Sequence, residues 1–69
     1  MQVTRFRHLV KEYGFKLGRK KSYTYYAYYP ILCNGVMIGA VSDIYIVLYN
    51  EEEASQKLDQ IRDAAAVKG

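Results

Sequence analysis

The sequence has no tryptophan and only one cysteine, one histidine and one proline. A lone Cys33 excludes an intramolecular disulfide, and Cys33 with His8 leaves too few soft donors for a zinc site. No cation neighbours Cys33 in sequence, so it is expected to pack as a small hydrophobe. No apolar run approaches the ~20 residues that span a bilayer, and no signal-peptide pattern is visible. A cytoplasmic chain without a membrane partner is therefore expected. No grouping of nucleophile, base and orienting residue stands out, so neither catalysis nor a cofactor is expected. Gly18-Arg19-Lys20-Lys21-Ser22 lacks the second glycine and the Lys-Ser/Thr spacing of a phosphate loop.

What is present is a β-prone, tyrosine-rich stretch, Ser22 to Tyr49, holding seven of the eight tyrosines. Asn34-Gly35 is its clearest signal, because both central positions of a type I′ turn need positive φ. A two-residue turn sets the register: Cys33 opposite Val36, Leu32 opposite Met37, Ile31 opposite Ile38 and Tyr29 opposite Ala40. A second reversal is expected near Ser42-Asp43, with a third strand over 44–49, where β-branched and aromatic residues are dense. Alternation puts Tyr23, Tyr25, Ala27 and Tyr29 on one face of the first strand, and Thr24, Tyr26 and Tyr28 on the other. Pro30 cannot donate to a ladder, which implies an edge position, a bulge or a break.

Helices flank this stretch. Thr4 can cap a first helix whose apolar stripe is Phe6, Leu9, Val10 and Tyr13, with Gly14 as its stop. Phe15-Lys16-Leu17 reads as a short extended piece. Asn50 with Glu53 three residues on resembles a capping box, and Glu51 to Glu53 suit the positive end of a helix dipole. Ala54, Leu58, Ile61 and Ala65 form the stripe of that last helix, and 67–69 are expected to fray. These elements predict one α+β domain over 1–69. Its core is a three-stranded antiparallel sheet with an N-terminal and a C-terminal helix, in the order α-β-β-β-α. The piece at 15–17 supplies a short extra strand.

Charge is unevenly spread. Residues 1–21 hold seven cations against Glu12 alone, a balance of +6, whereas residues 22–69 carry −3. The basic third leads straight into the tyrosines, which points to an anionic partner. Arg5, Arg7, Lys16, Arg19, Lys20 and Lys21 are the candidates for phosphate. Tyr23, Tyr25, Tyr26 and Tyr28 are the candidates for stacking on bases or sugars.

Leu9 to Tyr23 resembles the first helix and following strand of the HicA toxin family, which has the double-stranded-RNA-binding fold. That resemblance implies an RNA partner and a ribonuclease whose histidine lies in Gly-Ser-His. Here the stretch reads Lys21-Ser22-Tyr23, so the catalytic group is missing. Tyr49-Asn50-Glu51-Glu52-Glu53-Ala54 is similar to the end-of-sheet signature of the arm-binding domain of phage-type integrases. That second resemblance implies a sheet laid in a DNA major groove.

Two functions follow as expectations. One is a small non-catalytic nucleic-acid-binding module that uses the basic N-terminal segment and a tyrosine-rich sheet face. The other is a small protein-binding regulator or inhibitor of phage or mobile-element type, acting through a tyrosine surface and able to pair as a homodimer. A merged basic and aromatic face would favour nucleic acid. Cations scattered around a neutral tyrosine patch would favour a protein.

Overall fold

The computed structural model describes residues 1–68. In chain order the elements are α1 (Val3–Glu12), β1 (Lys16–Leu17), β2 (Lys21–Ser22), β3 (Ala27–Cys33), β4 (Val36–Ser42), α2 (Asp43–Leu48) and α3 (Glu51–Lys68). The α+β class, the open antiparallel sheet and both flanking helices follow the sequence expectation. Gly69 lies outside the described residues, so the expected fraying of 67–69 meets a helix assigned as far as Lys68.

The sheet has three lanes. β1 pairs with β3 at Ile31–Leu32, and β2 pairs with it at Ala27–Tyr28. β4 takes the other edge of β3, so β1 and β2 are two halves of one broken lane. Pro30 explains the break. The Gly18 amide donates to the Pro30 carbonyl at 2.8 Å. A residue in an antiparallel strand points its N–H and C=O to the same side. The missing Pro30 N–H therefore faces the gap between β1 and β2. Pro30 is in the central strand, and its cost is absorbed by the neighbouring lane. The gap also demands a small residue, since a Cβ on Gly18 would lie 2.7 Å from the Pro30 ring.

Asn34 and Gly35 both have positive φ, 52° and 80°, and Cys33–Val36 and Leu32–Met37 pair as the turn requires. Beyond them the register differs from the expectation. A bulge inserts Ile38, so Ile31 faces Gly39, Pro30 faces Ala40 and Tyr29 faces Val41. Ile61 of α3 packs over this point, only about 3.0 Å from where a Gly39 Cβ would sit. The bulge brings the single glycine of β4 under the helix.

Two expectations about the tyrosine stretch are corrected. The first strand does not run through 23–26. The Tyr23 amide donates to the Tyr26 carbonyl at 2.8 Å, closing a reversal between β2 and β3, so Tyr23 joins Tyr26 and Tyr28 rather than Ala27 and Tyr29. The expected third strand at 44–49 is instead α2 with its C-cap. Ser42 holds the N-cap position in extended conformation, and Asp43 lies in the first turn. Ser-Asp is helix-start chemistry and lacks the positive-φ residue that a tight hairpin would need. Ser42 makes no side-chain cap bond, so Asp43 at the positive end of the helix and burial of Ile46 are what override the β propensity of the run.

All three helices cover one face. The core joins Phe6, Leu9 and Val10 of α1, Leu17, Ile31 and Val41 of the sheet, Ile46 of α2, and Ala54, Leu58 and Ile61 of α3. α1 starts at Val3, without a side-chain cap and ahead of the expected Thr4, because Val3 adds a further turn to the stripe that meets this core. The Met1 amino group donates to the carbonyls of Val47 and Tyr49, at 2.8 and 3.0 Å. It sits at the negative end of α2. The capping box of α3 forms as expected: Glu53 N–H donates to Asn50 Oδ1 at 2.8 Å, and Asn50 N–H to Glu53 Oε1 at 3.2 Å.

Candidate nucleic-acid interface

The uncovered face of the sheet holds the tyrosines. Ala27, Ile31 and Val41 are buried and Tyr29 packs against the core. Alternation therefore turns Tyr28, Pro30 and Leu32 to this side, with Tyr28 and Leu32 half-buried and Pro30 itself buried. Lys21 is the register partner of Tyr28, and Lys16 that of Leu32. Partners in antiparallel strands share a face, so both lysines lie on the open side. They are about 14 Å apart along β3, at roughly 3.4 Å per residue.

At one end of this face three aromatic rings stack. Tyr23 lies 4.9 Å from Tyr26 and 6.0 Å from Tyr28, with interplanar angles of 22° and 8°. Tyr26 and Tyr28 are 6.4 Å apart. Tyr25 stands at the hairpin tip, 93% exposed. The neighbouring Tyr23 hydroxyl, then partial burial, raise the Tyr28 phenol above its ordinary value. The result is a near-parallel set of rings with a lysine beside it. Such a surface can take a flat π system and an anion together.

The predicted cations are only partly brought to this face. Lys16 and Lys21 belong to it, and Arg19 is exposed in the break between them. Lys20 is engaged elsewhere, its Nζ 3.3 Å from Asp43 Oδ2 at the start of α2. Arg5 pairs with Glu51 in the helical layer. Arg7 sits at the rim of the sheet. With Lys11, Lys16, Phe15 and Leu17 it lines an open groove of about 330 Å³, three cations around an apolar floor. Lys11 was missed in the sequence because it sits off the α1 stripe, and only the turn at Gly14 brings it and Lys16 to line the same groove.

The apolar surface of α2 was also not foreseen. Only Ile46 is buried there, while Ile44, Tyr45, Val47 and Leu48 stay largely exposed. The signal was available in Ser42-Asp43, a cap followed by an apolar run. His8 is exposed on α1. Among the described residues no three His, Cys, Asp or Glu side chains gather where a metal could be held. No helix among them is long and apolar enough to cross a membrane.

Neither resemblance carries through the fold. Both imply a sheet whose last strand enters the final helix, but here Tyr49-Asn50 joins α2 to α3. The chain matches no family model, no curated protein and no solved structure.

Proposed function

We propose that the protein is a non-catalytic module that binds single-stranded nucleic acid across the open face of its sheet. The observation that carries this reading is the merging of Lys21 with the stacked Tyr23, Tyr26 and Tyr28 on one exposed surface. Bases would stack on Tyr23, Tyr26 and the exposed Tyr25. Phosphates would follow the broken lane past Lys21, Arg19 and Lys16 toward Arg7 and Lys11. A single strand suits this surface because stacking needs unpaired bases, whereas a duplex hides their faces. Arg5 and Lys20 play no part, since both already hold acidic partners.

Fluorescence anisotropy with short single- and double-stranded DNA and RNA tests this. Phosphate contacts to the three cations of the lane, Lys21, Arg19 and Lys16, give a log–log salt slope of about −2 on a single strand, hence roughly 15–20-fold weaker binding between 50 and 200 mM salt, and contacts to Arg7 and Lys11 would steepen it. Lys21→Glu should make that slope shallower. Tyr26→Ala should weaken binding by roughly 5- to 150-fold, the span of about 1–3 kcal/mol per stacked base. Lys20→Glu should matter far less than Lys21→Glu. An absence of binding at 50 mM salt, or binding indifferent to Lys21→Glu and Tyr26→Ala, would sink the proposal. The regulator reading would then gain from the apolar surface of α2.

A further inference from the structure

β4 is an edge strand of an unusual kind. Its seven residues, Val36 to Ser42, contain no charge and no proline, two of the protections of an open edge, and its bulge at Ile38 leaves the stretch from Gly39 to Ser42 regular. The hydrogen-bond directions identify what that edge offers. Pro30 points its carbonyl toward the broken lane, so Tyr29 and Ile31 point theirs toward β4 and bond Val41 and Gly39. Ala40, opposite Pro30, therefore directs both its N–H and its C=O away from the sheet. Alongside lies a groove of about 680 Å³, lined by Ala40, Ser42, Tyr45, Leu48, Glu53 and Lys57 among others. One wall is apolar, with Leu48 69% exposed. The charged residues on the other wall, Glu53 and Lys57, are opposite in sign and one helical turn apart.

We infer that a second copy of the chain pairs along β4, with Ala40 facing its own counterpart across a two-fold axis. Antiparallel self-pairing centred there satisfies both outward backbone groups of Ala40 twice over, and the small side chain allows the close approach. The two-fold relation suits the groove walls, because Glu53 of one copy can meet Lys57 of the other. A stable interface takes roughly 800 Å² per partner, about one sixth of the 4960 Å² of accessible surface. Backbone pairing alone is narrower than that, and Tyr45 and Leu48 supply apolar side-chain area beside it. The axis of an antiparallel pair stands perpendicular to the sheet. Both open faces therefore point the same way and form one continuous surface, with a tyrosine cluster at each end.

Sedimentation equilibrium over low to high micromolar concentration tests the inference. The expected result is a mass rising from 8.0 kDa toward twice that value. Ala40 is exposed, so Ala40→Lys and Ala40→Glu should keep the monomer fold, checked by circular dichroism. Each substitution places like charges opposite one another and should raise the dissociation constant at least tenfold. An equimolar mixture of the two variants should recover the dimer. A wild-type chain that stays at 8.0 kDa throughout would overturn the inference. So would a dimer that neither substitution weakens.

Discussion

Tyr13 keeps its hydroxyl 2.9 Å from Asp59 Oδ1 and 3.1 Å from the Ser55 carbonyl, with the Arg62 guanidinium over its ring at 5.7 Å. Burial first, then the bond to Asp59, push its phenol above the ordinary value of 10.0. Tyr49 is raised as well, by burial and then by Tyr45 and Glu53, and Tyr28 is raised beside Tyr23. The sign of the linkage follows. A raised folded pKa means that the unfolded chain loses its proton first. The stabilising contribution is whole below the unfolded value near 10 and fades as pH climbs through the folded value. Ultraviolet phenolate titration should show a late-ionising component from these three tyrosines, with stability to urea falling over the same range. Tyr13→Phe should cost about 1 kcal/mol of stability at neutral pH and reduce the alkaline decline. An unchanged titration curve in Tyr13→Phe would refute this account of the residue.

Among the elements, the broken lane invites the sharpest mutation. Gly18→Ala would put a methyl 2.7 Å from the Pro30 ring, and a proline in a central strand has little freedom to retreat. A loss of about 1–3 kcal/mol is expected, measured by chemical denaturation, and a neutral result would mean that the break is loose. The same element shows what was legible in sequence. Asn34-Gly35, the α1 and α3 stripes and the Asn50–Glu53 box carry local signals strong enough to fix their own structure. The reversal at Tyr23-Thr24-Tyr25-Tyr26 carries none, having no glycine, asparagine or proline, and only the tertiary sheet reveals it. The run 44–49 has β composition but follows Ser42-Asp43, and the core's need for Ile46 decided its form. The site was half legible. Lys16, Lys21 and the tyrosines share a face, while Arg5 and Lys20 were drawn off by Glu51 and Asp43, which lie far along the chain.

The whole molecule is a slab about 16 Å through its thinnest direction, with a helical layer on one side and an open sheet on the other. Its basic surface and its aromatic surface meet along one lane only, and that lane is the interrupted one. The interruption has a kinetic consequence. β2 and the tyrosine loop are anchored to β3 by a two-residue ladder at Ala27–Tyr28, on the far side of Pro30 from β1. This end can peel away while α1, β1 and the Ile31 end of β3 stay packed, a local opening far cheaper than unfolding. Amide hydrogen exchange followed by NMR should therefore alternate along one strand. Tyr28, bonded toward β2, should exchange early, and Tyr29 and Ile31, bonded toward β4, should exchange only near the global limit. Equal protection of the three amides would show the lane to be continuous in solution. Early release of Tyr28 alone would make the missing proline N–H a hinge pin, letting Tyr23 and Tyr26 swing off the Tyr28 ring with their loop while the rest of the sheet holds still.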